Sequence, residues 1–180
     1  MDRIWALLPL AIAFVLGGFL FWGLSSDRDP NEIPSALIGQ GVPDMTLDPI
    51  PQMGGLGFDP DVIEQEELAL VNVFASWCVP CRAEHAPLTR MSEDENLPIY
   101  GINYRDQADD AAEWLNELGN PYKGIGHDIA GRAGIEWGIS GVPETFIVKN
   151  GVVVHRHVGP IVGDVVTREF RAALDAARAE

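Results

Sequence analysis

Trp77-Cys78-Val79-Pro80-Cys81 holds the chain's only two cysteines, with two residues between them. Before it runs an apolar stretch, Leu68 to Phe74. Leu68, Leu70, Val71, Val73 and Phe74 predict a buried strand there, because length and branching favour strand over helix. After it, the spacing predicts a helix from Val79 to Met91. A Cys-x-x-Cys where a strand meets a helix is suited to sulfur chemistry. The helix N-terminus presents unpaired N–H groups and the positive end of the dipole. A thiolate at Cys78 is stabilised there, so its pKa is expected below the free value. Pro80 suits the first turn, where a missing N–H costs nothing. Cys81 lies one turn in on the same face, close enough to close a small disulfide.

Other uses of the pair fit less well. A zinc site needs four ligands, often two Cys pairs or Cys with His. No second pair exists, and of His85, His127, His155 and His157 only His85 is local. No Cys/His spacing fits a zinc finger, so no metal is expected. Covalent haem attachment needs His directly after the second Cys, where this chain has Arg82. A purely structural disulfide closes too small a loop to constrain the unfolded chain much. Redox use is the best reading, and it requires no cofactor.

Outward from the motif, the net charge of -15 argues against nucleic acid as a partner. Ile4 to Leu24 is uncharged and apolar, and at about twenty residues it is long enough to span a bilayer as a helix. Trp5 and Trp22 stand near its ends, where aromatic rings favour the interface. Against a cleaved signal peptide stand the length of the apolar run and the lack of an Ala-x-Ala site. The expected organisation is a transmembrane anchor over 1–25, a polar linker over 26–36 and one domain over 37–180. Within the domain, Leu37 to Gly57 is rich in Pro and Gly and predicts a hairpin or extended edge. Pro98 to Tyr104 predicts a second core strand. Asp106 to Leu118 predicts a helix, ended by Gly119-Asn120-Pro121. Tyr122 to Gly126 predicts a short strand, and Ile129 to Trp137 a short helix. Thr145–Lys149 and Val152–His157 flank Asn150-Gly151, a strong hairpin signal. Asp164 is placed to cap a final helix with an apolar stripe of Val166, Phe170, Ala173, Leu174 and Ala177. Alternating strands and helices that end in a hairpin and a helix predict an α/β domain, its mixed sheet covered on both faces.

The Trp77-Cys-x-Pro-Cys81 motif resembles the thioredoxin superfamily, and so does Gly141-Val142-Pro143-Glu144-Thr145-Phe146 before a strand and hairpin. A narrower likeness rests on several stretches together: Ser35 to Gly39, Pro80 to His85, Gly101 to Tyr104, Trp114 to Tyr122 and Pro143 to Phe146. In these the chain resembles the membrane-anchored thiol:disulfide interchange proteins of cytochrome c maturation, the DsbE or CcmG type. Glu144 after the proline and Leu118-Gly-Asn-Pro-Tyr122 narrow it most.

The resemblance implies a thioredoxin-like fold with a cis Pro143 facing the cysteine pair. It implies a single-pass protein of the bacterial inner membrane with its catalytic domain in the periplasm. The implied activity is that of a thiol:disulfide oxidoreductase reducing the Cys-x-x-Cys-His disulfide of apocytochrome c before haem attachment. Implied partners are apocytochrome c, haem-lyase components and a membrane electron donor of the DsbD or CcdA type. The alternatives are a general extracytoplasmic reductase, for example in copper-site assembly, and a module that binds apocytochrome without turnover. A thiol peroxidase is disfavoured, since that family has Thr or Ser where this chain has Ala75. In the expected site Cys78 attacks and Cys81 resolves. Trp77 and Pro80 support them, Trp77 by shielding and shaping the site or by core packing. Val142 and Pro143 meet an extended substrate strand. Thioredoxins carry a buried Asp six residues before the first Cys, where this chain has Asn72. Resolution still needs a proton acceptor, and Glu84 and Glu144 are the candidates.

Overall fold

A strand buried on both faces needs apolar residues at odd and even positions alike, and β1 (Leu68–Phe74) has them. The computed structural model describes residues 12–19, 21 and 36–179. The chain divides into two units, Met1–Pro34 and Ser35–Glu180. In the first, residues 12–19 form a helix, α1. The expected transmembrane helix of 1–25 and linker of 26–36 lie mostly outside the described residues. Among those described, no helix is long and apolar enough to cross a membrane.

In the second unit β1 is the middle strand of five, in the order β3-β2-β1-β4-β5. β2 (Ile99–Tyr104) runs parallel to β1, and β3 (Gly124–Asp128) parallel to β2. On the other side β4 (Glu144–Lys149) and β5 (Val152–Val158) are antiparallel. Strand alternation sends Leu70 and Phe74 to one core and Ala69, Val71 and Val73 to the other. The first core is closed by α3 (Val79–Asp94), α4 (Ala108–Leu118) and α6 (Asp164–Ala179), through residues such as Leu88, Trp114 and Phe170. The second is closed by α2 (Pro60–Glu64) and α5 (Arg132–Glu136), with Phe58 and Trp137. This is the expected mixed sheet with helices on both faces, a thioredoxin-like fold.

The β4–β5 turn puts Asn150 at φ 46° and Gly151 at φ 77°, the two positive values that a type I′ turn demands. The segment expected as a hairpin or extended edge serves both ends of the sheet. Gly39 N–H donates to Val153 O and Val153 N–H to Gln40 O, along β5. Leu47 bridges Phe58, and Ile125 and His127 of β3 donate to Leu56 O and Asp48 O. Backbone groups that edge strands would leave open are thereby paired. Gly126 permits the approach: a Cβ there would meet Leu47 Cβ at 2.5 Å and Phe58 Cβ at 2.6 Å.

Three local expectations are corrected. The sequence reading places no helix at α2, yet Asp59 caps it by accepting from Asp61 N–H at 3.0 Å, with Pro60 in the first turn. Asp164 is the first residue of α6 rather than its cap, following Gly163 at φ 82°. β3 begins at Gly124, not Tyr122, whose side chain turns into the buried network described below.

Candidate active site

β1 ends at Phe74, and Ala75-Ser76-Trp77 bridge to α3. Cys78 is the helix N-cap, in extended conformation, and its Sγ accepts from Cys81 N–H at 3.1 Å. A side chain at this position satisfies one of the open donors of the first turn. Cys78 and Cys81 are joined as a disulfide with Cα atoms 5.3 Å apart. Both are buried, Cys81 at 1% exposure and Cys78 at 4%. Trp77 is 58% exposed and Val79 79%. Trp77 is therefore not a core residue, and Nε1 of its ring donates to Arg105 O at 3.1 Å. Pro80 lies in the first turn of α3 as expected. The Val142–Pro143 bond is cis. Val142 packs against the core cluster that contains both cysteines.

Asn72 shares the face of Leu70 and Phe74, beneath α3, and is fully buried. A buried amide needs partners, and Asn72 has three. Tyr122 Oη donates to its Oδ1 at 2.8 Å, and its Nδ2 donates to Thr145 Oγ1 at 3.0 Å and to Glu84 Oε1 at 2.9 Å. Glu84, one turn past Cys81, is 1% exposed, and its Oε2 accepts from Ile161 N–H at 2.9 Å. Burial drives the Glu84 carboxyl up to about 7, against the opposing pull of the Ile161 and Asn72 donors. Burial and then the Glu84 charge push the Tyr122 phenol well above 10.0. A carboxyl that titrates near neutrality beside a disulfide is equipped to exchange a proton with a thiol. The neighbouring His85 is pressed against Trp114, with ring centroids 4.6 Å apart, and its Nε2 donates to Gly119 O at 3.0 Å. Burial holds His85 below its ordinary value.

Glu144 is as buried as Glu84 but differently supplied. Arg156 donates from Nε to Oε2 at 2.9 Å and from Nη2 to Oε1 at 3.0 Å. Ser140 N–H, Ser140 Oγ and Gly141 N–H also donate to Oε1, at 2.7, 2.6 and 3.0 Å. Five donated hydrogen bonds hold this carboxylate in place. It anchors Ser140-Gly141, the approach to the cis proline. Sequence reasoning singled out neither Arg156 nor Ser140. The sole hint was a basic residue in β5 opposite Phe146.

The sequence places Asp106 only at the start of a helix. It is 2% exposed and reaches back to the Ala75-Ser76-Trp77 segment, accepting from Ser76 N–H at 2.6 Å and Ser76 Oγ at 2.7 Å. The two strand histidines, His155 and His157, pack on Phe170. Among the described residues no three His, Cys, Asp or Glu side chains cluster as a metal site would require.

The sequence and the fold match known proteins. The redoxin family model matches residues 39–174. The chain is 40% identical over 174 residues to the thiol:disulfide interchange protein DsbE homolog of Paracoccus denitrificans, covering 96% of this chain and 94% of that one. It is 42% identical over 175 residues to DsbE of Pseudomonas aeruginosa, covering 97% and 94%. Among solved structures, a putative DsbE from Chlorobium tepidum aligns with TM-score 0.66 at 21% identity, over 78% of this chain and 96% of that one, a likeness of fold. The chain belongs to the redoxin family and to the DsbE-type thiol:disulfide interchange proteins: it is a thiol:disulfide oxidoreductase.

Proposed function

We propose that this oxidoreductase works as a reductant in cytochrome c biogenesis, opening the Cys-x-x-Cys-His disulfide of apocytochrome c before haem attachment. The observation that carries the mechanism is Glu84, a buried carboxyl with a pKa of about 7 one turn from Cys81. Cys78 attacks first, because it caps the helix and is the less buried of the pair. Its thiolate bonds to one substrate sulfur, and the other substrate sulfur leaves as a thiolate. Cys81 gives its proton to Glu84 and attacks Cys78 Sγ. The mixed disulfide breaks, the second substrate sulfur leaves, and two electrons have passed to the substrate. Trp77, Val79, Val142 and Pro143 form the surface that receives the extended substrate. Pro80 shapes the first turn of α3, and Glu144 fixes the proline loop from behind.

In this reading residues 1–25 anchor the chain in the inner membrane, 26–36 link it and 37–180 face the periplasm. There the enzyme meets haem-lyase components and is re-reduced by a membrane dithiol donor of the DsbD or CcdA type. The full-length match to DsbE proteins supports the assignment. The test compares turnover of an oxidised Cys-x-x-Cys-His peptide with insulin reduction. Preference for the peptide is expected. Equal turnover of both favours a general reductase, and capture of the peptide without turnover favours a binding module.

A further inference from the structure

We propose that Asp106 is a positioning residue for thiol–disulfide exchange: its carboxylate holds the Ser76-Trp77 bridge so that Cys78 stays seated on the N-terminus of α3. The proposal rests on the oxidoreductase activity and not on which disulfide is the substrate.

The geometry is that of a staple between two chain segments distant in sequence. Asp106 Oδ2 accepts from Ser76 N–H at 2.6 Å and from Asn103 Nδ2 at 2.8 Å. Asp106 Oδ1 accepts from Ser76 Oγ at 2.7 Å and from Gln107 N–H at 3.0 Å. The preceding residue adds a further clamp, Arg105 O accepting from Trp77 Nε1 at 3.1 Å. His127 Nε2 donates to Asp106 O at 3.0 Å and fixes the backbone of the anchor itself. On the other side of the bridge Cys78 N–H donates to Ala75 O at 3.1 Å. Bonds on both flanks thus define where the Cys78 Sγ meets the Cys81 N–H.

Each carboxylate oxygen faces one backbone N–H, from Ser76 or from Gln107. Backbone N–H groups donate only and cannot turn away. An amide in place of the carboxylate has one acceptor end and one donor end. Whichever way it flips, its NH2 confronts a backbone donor. Asp106→Asn is nearly isosteric, yet it forces the Ser76 bridge or the Gln107 end to move. A carboxylate is required here for hydrogen-bond sign.

This role makes a prediction opposite to that of the Asp106 charge acting through space. A negative charge near Cys78 disfavours its thiolate, so charge removal alone would lower the thiol pKa. Loss of positioning takes Sγ off the helix N-terminus and raises it. The experiment follows alkylation of Cys78 in the reduced full chain against pH, with folding checked by circular dichroism. In Asp106→Asn the midpoint is expected to rise by about one pH unit, the size of one lost hydrogen bond to the thiolate, and the rate below the midpoint to fall with it. Ser76→Ala removes one of the two Ser76 bonds and is expected to move the midpoint the same way by less. Cys81, Arg82, Glu84, His85, Arg105 and His127, the other ionisable groups around the motif and the Asp106 anchor, are common to all variants and cancel in the comparison. A midpoint that stays or falls in Asp106→Asn overturns the proposal. If that variant does not fold, an unshifted or lowered midpoint in Ser76→Ala overturns it instead.

Discussion

Replacing Glu84 by Gln tests the central feature of the site through stability rather than activity. The Glu84 carboxyl is raised from its ordinary 4.5 to about 7, with burial as the largest cause. A raised acid binds its proton more tightly in the folded state than in the unfolded one. Between those two values the native protein holds more protons, so its stability falls as pH rises. The penalty is absent below about pH 4.5 and complete above about pH 7, and the gap corresponds to about 3 kcal/mol. Gln never ionises, so the variant lacks this slope. Gln also sets an NH2 against either Asn72 Nδ2 or Ile161 N–H, which costs about 1–3 kcal/mol at every pH. That offset cancels when only the pH dependence of the difference is read. Urea unfolding of the oxidised protein and of Glu84→Gln, from pH 4 to pH 9, gives the assay. The variant is expected to gain about 3 kcal/mol relative to the parent between pH 4 and pH 8. A difference that stays flat within about 0.5 kcal/mol across that range would refute the buried, near-neutral carboxyl and with it the proton acceptor for Cys81.

In the reduced protein, Cys78→Ser is expected to abolish disulfide reduction, while Cys81→Ser accumulates a mixed disulfide visible by non-reducing electrophoresis; trapping by Cys78→Ser alone would reverse the roles. Arg156→Met leaves a fully buried Glu144 with three of its five donors and should cost about 3 kcal/mol in urea unfolding, most of it recovered when Glu144→Gln is added. If the two substitutions simply add, the pair is not coupled. Gly126→Val presses a side chain into Leu47 and Phe58; a loss of about 1–3 kcal/mol is expected, with the pH profile of Cys78 alkylation unchanged.

Glu84 and Glu144 show why a candidate list shortens once the fold is known. By sequence they are equivalent, two acidic residues near a reactive motif. In the fold one is met by two uncharged donors and the other by a guanidinium with three further donors. Desolvation without a counter-charge raises the Glu84 carboxyl. Asn72 is the reverse case: its position in β1 was legible, but its partners lie at 84, 122 and 145.

The sequence by itself determined what local chemistry controls. Short apolar runs bounded by turn residues placed the strands, Asn150-Gly151 the hairpin turn, Gly119 with Pro121 the end of α4, and Cys78 with Pro80 the start of α3. These signals act over a few residues, so they survive without tertiary context. α2 escaped although Asp59-Pro60 carried its signal, because so short a helix has too few turns to show a periodicity. The tertiary structure alone decided which polar groups meet. The register of Asn72 with Thr145, the return of Asp106 to Ser76 and the crossing of Arg156 to Glu144 each join residues far apart in the chain. Hydrogen-bond partners chosen by strand order leave no periodic trace in sequence. The burial that raises Glu84 depends on the elements packed over it, not on its neighbours in the chain.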